Sequence, residues 1–174
     1  MKIAVVGAGL MGSGIAQTFA QAGFEVTNID TFEAAVAKAS ANVEALFAKK
    51  VAKGKLTHDQ KQEILGRLHY STNMEDVCGA SVIVEAVPEK IELKKSVFAE
   101  LDKLADKVAI LVSNTSGLSI SEIAAATKRP ERVMGAHFFY PAPVMKLIEL
   151  IRGIATSDET YARMQEIAAK IGKT

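Results

Sequence analysis

Short apolar runs with little polar interruption alternate along this chain with longer stretches of helical period. The runs fall at 3–6, 25–29, 68–71, 82–86, 109–113, 133–137 and 147–151. Most lack the in-out alternation of a half-exposed strand, as expected of strands covered on both faces. Helical patterns fill many of the gaps, at 10–22, 32–51, 59–66, 91–104, 119–126 and 158–171. Strand and helix in turn predict an α/β fold with a doubly wound, mainly parallel sheet. Some helix starts are legible. Ser119 stands three residues before Glu122, the spacing of a capping box. Ser157 or Asp158 can open the last helix. The stretch 32–66 is longer than an ordinary crossover and reads as two helices, an inserted helical arm broken at Lys53-Gly54-Lys55.

The first apolar run leads into Gly7-Ala8-Gly9-Leu10-Met11-Gly12, and the second ends on Asp30. Glycines that open a helix, with an acid about 20 residues further on, form the dinucleotide fingerprint. Gly7 permits the tight turn, Gly9 lets the main chain approach a pyrophosphate, and Gly12 lets helix and strand pack closely. The helix that opens at Leu10 and Met11 turns free N–H groups and its positive end toward phosphates. Asp30 can accept from ribose hydroxyls and repels a 2′-phosphate, so the expected cofactor is NAD rather than NADP. No arginine follows in Thr31-Phe32-Glu33, which agrees. The sheet is therefore expected to be Rossmann-type, one dinucleotide-binding domain over residues 1–174 with the arm at about 32–66.

Composition narrows the setting. A length of 174 residues suits one domain with a real core. A net charge of +1 implies no nucleic-acid partner. The lone Cys78 gives no disulfide framework and points to a reduced, cytoplasmic setting. Glycines at 7, 9, 12 and 14 break any signal-peptide core. No run reaches the ~18 apolar residues that a membrane span needs. Three scattered histidines and one cysteine lack metal-ligand spacing, so no metal is expected. Ser116 lacks a nucleophile elbow, so hydrolase chemistry is unsupported. Lys49, Lys50, Lys53, Lys55 and Lys61 surround the break in the arm. They read either as a solvated face or as a basic arm for an anionic substrate tail.

Ligands of open parallel sheets lie beyond the carboxyl ends of the strands. Three segments should converge there: Glu85-Ala86-Val87-Pro88-Glu89, Ser113-Asn114-Thr115-Ser116 and His137-Phe138-Phe139-Tyr140-Pro141. His137 ends an apolar strand, and an imidazole titrates near neutral pH, which suits a base that takes a proton from an alcohol. Glu149 sits in another apolar run, where a carboxylate is out of place unless paired. Pro141-Ala142-Pro143 reads as a rigid reversal that lays the two runs side by side. His137 alone fits a core histidine and Glu149 alone an edge residue; together, beside a nucleotide, they read as catalytic. Ser116 and Asn114 read either as a turn cluster or as groups that hold the reacting oxygen or the cofactor.

These motifs resemble those of the L-3-hydroxyacyl-CoA dehydrogenase family. The likeness runs through Gly7–Gly12 with Ser13-Gly14-Ile15-Ala16, Glu85-Ala86, Ser113-Asn114-Thr115-Ser116, and His137 through Leu147. Short-chain bacterial members act on 3-hydroxybutyryl-CoA. The resemblance implies NAD-dependent oxidation of an L-3-hydroxyacyl-CoA, or its reverse, in fatty-acid and butanoate metabolism. It implies His137 as base, Glu149 as its partner and Ser116 at the substrate's 3-oxygen. Asp30 is implied at the adenosine ribose, Glu89 and Lys94 on the nicotinamide side, and Lys53, with Lys55 as the alternative, at coenzyme A. The family usually has Asn where this chain has Tyr140. It also continues into a C-terminal helical domain that forms a homodimer and closes the acyl pocket. That domain is absent here, so the chain is expected to be the cofactor half and to lack activity alone. A non-catalytic NAD-binding module is the alternative. A sugar-acid dehydrogenase branch shares the glycines and histidine, but is expected to lack Val144-Met145-Lys146.

Overall fold

A computed structural model describes residues 1–174. In chain order the strands are β1 (Lys2–Val6), β2 (Glu25–Ile29), β3 (Leu68–Ser71), β4 (Val82–Glu85), β5 (Ile110–Ser113), β6 (Val133–Phe138) and β7 (Ile148–Arg152). The helices are α1 (Leu10–Gln21), α2 (Glu33–Ala52), α3 (His58–Gly66), α4 (Ile91–Leu104), α5 (Ile120–Ala124) and α6 (Asp158–Lys170). One seven-stranded sheet has the order β3-β2-β1-β4-β5-β6-β7. Every neighbouring pair is parallel except β6 and β7. This is the doubly wound Rossmann-type architecture that the alternating runs predict. Strand order reverses between β1 and β4, and that switch point opens the crevice at their carboxyl ends.

The apolar runs are continuous because both faces are covered. Ile3 and Val5 join α1, α2 and α6 residues such as Phe19, Phe47 and Met164 in one core layer. Ala4 and Val6 join Phe98, Leu101 and Ile123, from α4 and α5, in the other. Residues two apart share a face, so both registers of the strand must be apolar.

Element ends differ from expectation by a residue or two, for local reasons. Ala86 keeps its N–H on the Val6 carbonyl at 2.7 Å but lies outside β4, just ahead of Pro88. Ala109 still belongs to the turn before β5, its N–H on the Asp106 carbonyl at 2.9 Å. α3 starts at His58 because Thr57 and Gln60 form a reciprocal capping box, a sequence signal the periodicity alone passes over. Ser119 and Ser157 do cap α5 and α6. A short 3-10 turn at Met74–Val77, opened by Asn73, has no apolar period to announce it. Helices α2 and α3 occupy the 32–66 stretch. Val43 and Phe47 root α2 in the core, whereas α3 buries no residue.

Candidate active site

The glycine turn is closed by backbone sterics. Gly7 has φ +105°, and a Cβ there would lie 2.6 Å from the Ala86 carbonyl oxygen. A Cβ on Gly12 would lie 1.9 Å from the Gly7 carbonyl oxygen. Gly9 is the opposite case: an added Cβ meets nothing within 4 Å. Gly9 begins α1 with no side-chain cap and no acid in the first turn, so the helix's first N–H groups remain available to an anion. Asp30 bridges the turn to the end of β2. Its Oδ2 accepts from the Ala8 N–H at 2.9 Å and its Oδ1 from the Phe32 N–H at 3.0 Å.

A cavity of about 790 Å³ opens on this turn. Gly7, Gly9, Leu10, Met11, Asp30, Glu89, Lys94 and Asn114 are among the residues that line it. Apolar Phe32, Met74, Leu93 and Val97 line it as well. Open space at Gly9, free helix N–H groups and an acid at the strand tip fit a dinucleotide.

Between β4 and β5 lies a charge network that residue spacing along the chain does not announce. Glu85 is fully buried. Its Oε2 accepts from Lys94 Nζ at 2.6 Å and from the Val87 N–H at 2.9 Å. Its Oε1 accepts from the Ser113 hydroxyl at 2.8 Å, across a cross-strand pair. Lys94 is 1% exposed and also donates to the Val87 carbonyl at 3.1 Å. Removing either partner of such a pair leaves an uncompensated charge, at about 3–5 kcal/mol. The available signal was the carboxylate that closes Val82-Ile83-Val84-Glu85, the same anomaly that singled out Glu149. Lys94 thus reaches the cavity with its ammonium already engaged.

Glu89, 3.7 Å from Lys94 Nζ, accepts from the Thr115 hydroxyl at 2.7 Å, the Ser116 N–H at 3.0 Å and the Ser116 hydroxyl at 3.1 Å. Partial burial works to raise its pKa; those donors and the Lys94 charge outweigh it and hold the carboxyl below its ordinary value.

His137 and Glu149 are brought together. They are direct cross-strand partners in the antiparallel β6–β7 pair, and His137 Nδ1 lies 2.9 Å from Glu149 Oε2. The His137 side chain is 19% exposed, packed 4.5 Å from the Phe139 ring centroid. The Glu149 side chain is 54% exposed, because β7 is the sheet's last strand. Asn114 connects β6, one residue beyond His137, to the first cavity. It lines that cavity, and its Oδ1 accepts from the N–H of Phe138 at 2.8 Å.

A second cavity of about 660 Å³ shares Gly9, Leu10 and Ala35 with the first. It runs between α1, α2 and the loop Tyr140 to Val144, with Lys38, Asn42 and Lys50 along α2. Tyr140 is 61% exposed on its wall. Lys53 caps the end of α2, exposed, one turn beyond the residues that line this cavity. No group of histidine, cysteine and acidic residues could hold a metal ion. No helix is long and apolar enough to cross a membrane.

Fold, glycine turn and the acid at the tip of β2 together define a domain of the dinucleotide-binding class. The family follows from comparison. A family model described as "3-hydroxyacyl-CoA dehydrogenase, NAD binding domain" matches residues 2–174. The chain belongs to the 3-hydroxyacyl-CoA dehydrogenase family, as its NAD-binding domain, and its cofactor is NAD. Over 173 residues it is 45% identical to the 3-hydroxybutyryl-CoA dehydrogenase of Clostridioides difficile, covering 99% of this chain and 62% of that protein. A probable 3-hydroxybutyryl-CoA dehydrogenase of Bacillus subtilis is 44% identical, with 99% and 60% covered. The crystal structure of 3-hydroxybutyryl-CoA dehydrogenase from Escherichia coli K12 superposes with a TM-score of 0.97 at 39% identity, over 100% of this chain and 37% of that one. The chain thus spans 60–62% of the length of these two curated relatives.

Proposed function

We propose that this chain is the cofactor-binding half of an enzyme that oxidises L-3-hydroxyacyl-CoA, with 3-hydroxybutyryl-CoA as the favoured substrate, to the 3-ketoacyl-CoA, and that runs the reverse reduction. The observation that carries the reading is the His137–Glu149 pair, with Nδ1 and Oε2 2.9 Å apart, tied through Asn114 to the wall of the cofactor cavity. With Nδ1 engaged by the carboxylate, Nε2 is left to take the proton of the C3 hydroxyl. Glu149 selects that tautomer and offsets the positive charge that develops on the ring. Bound NAD supplies the acceptor for the hydride that leaves C3. Ser116 holds the reacting oxygen, and Asp30 receives the adenosine ribose. Glu89 stands at the nicotinamide end, with Lys94 held behind it. The second cavity receives the acyl-CoA, with Lys38 and Lys50 beside its anionic tail and Lys53 further along the arm. A cytosolic homodimer, paired through a C-terminal helical domain, is part of the same reading.

The test compares acetoacetyl-CoA with a keto sugar acid as oxidants of NADH, using the full-length gene product. Reduction of acetoacetyl-CoA is expected, whereas preference for the sugar acid would remove the assignment. The 174-residue chain alone is expected to bind NADH without turnover. Full activity from it would refute the half-site reading.

A further inference from the structure

We propose that Glu89 is a positioning residue that holds the Ser116 hydroxyl in reserve until the nicotinamide end of the cofactor cavity is filled. The inference rests on the cofactor and Ser116 assignments above and adds a coupling between them.

An ionised carboxylate only accepts, so each contact to Glu89 is a donation to it. Ser116 gives both its N–H, at 3.0 Å, and its hydroxyl, at 3.1 Å, to the same oxygen, Oε2. Thr115 gives its hydroxyl to Oε1 at 2.7 Å. A serine hydroxyl has one hydrogen. While that hydrogen is on Glu89, it is not available to an oxygen at C3. Glu89 also lines the cofactor cavity, so it faces two sets of donors. Ribose hydroxyls and carboxamide N–H groups at the nicotinamide end compete for the same carboxylate oxygens. Each donor won from that end weakens the hold on Ser116, whose hydroxyl then turns to the substrate oxygen.

The arrangement has a thermodynamic signature. If the Ser116–Glu89 contact competes with the cofactor, apparent cofactor affinity is lowered by the fraction of molecules in the latched state. Deleting the hydroxyl must then tighten binding, whereas a merely structural contact would leave binding unchanged or weaken it.

The test titrates the chain with NADH by fluorescence and with AMP by calorimetry. AMP fills only the adenosine half. Ser116→Ala is expected to bind NADH about threefold to tenfold more tightly, the worth of one hydrogen bond, and AMP as wild type does. Ser116→Thr, which keeps the hydroxyl, is expected to restore wild-type affinity. NADH affinity in Ser116→Ala equal to or below wild type overturns the latch, as does equal tightening by Ser116→Thr or an equal shift for AMP. Failure of the wild-type chain to bind NADH at all instead removes the cofactor reading, and the latch with it.

Discussion

At the glycine turn, backbone meets backbone: a Cβ on Gly12 would stand 1.9 Å from the Gly7 carbonyl oxygen. Further along the same sheet, His137 and Glu149 face each other across two antiparallel strands, and more than half of the Glu149 side chain is open to water. The first region is held by exclusion and admits no side chain at Gly7 or Gly12. The second is held by register and one hydrogen bond, which water screens. The turn also gathers the buried Glu85–Lys94 pair and Asp30 into a nearly finished cradle. The imidazole pair is finished only when something covers it, and a substrate lying across His137 would dry the contact and strengthen it.

The sharpest way to break the contrast is Gly12→Val. The new side chain has nowhere to go, so the variant is expected to lose its cooperative melt and all NADH binding. A circular-dichroism melt with normal cooperativity would show that the turn is softer than its sterics state. His137→Gln probes the other region. It is expected to leave the melt and NADH affinity of the chain as they are, while the full-length enzyme loses about 10²–10⁴-fold in turnover. Turnover within a few-fold of wild type would take His137 out of the chemistry. Gly9→Val separates space from structure within the turn itself. Nothing lies within 4 Å of its Cβ, so the melt should match wild type. NADH affinity is nevertheless expected to fall about tenfold or more, because the added atoms occupy the approach to the pyrophosphate. Unchanged affinity would move the phosphates elsewhere.

The same contrast explains what could be read in advance. Gly7 through Gly12 and Asp30 are legible because their job is local: a turn, a helix start and a strand tip within thirty residues. The partnership of His137 and Glu149 is not local. It shows only through two anomalies, a histidine and a carboxylate in apolar runs, joined by a proline-rich reversal. Whether Glu149 is buried or faces water stays open in the sequence, because nothing in a strand's own residues says that it is the last in the sheet. Glu85 carries an anomaly like that of Glu149. Its partner, Lys94, lies on the following helix, and only tertiary packing turns that lysine inward. The lysines of α2 show the same limit. Periodicity places Lys38 and Lys50 on a helix and Lys53 at its break, but the position of the Tyr140 loop decides which of them line a cavity.

Glu89 lies between the two regions and gives the finest test of how they are joined. Its carboxyl is held below its ordinary value of 4.5 although partial burial pushes the other way, because Ser116, Thr115 and Lys94 favour the charged form. A depressed carboxyl contributes stability that is fully present above its unfolded pKa. That stability is lost as pH falls through the folded pKa. The wild-type advantage over Glu89→Gln should therefore be present at pH 7 and fade as pH drops from about 4.5. The side chain is 44% exposed, so screening keeps the effect small. A difference in melting temperature of about 1–2 °C at pH 7 is the expected scale for a chain of this length. Melts of both proteins at pH 7 and pH 3 check it. A gap that stays constant with pH would mean that the loop from Thr115 to Ser116 is held by shape rather than by the Glu89 charge. The cradle and Ser116 would then be neighbours without being coupled.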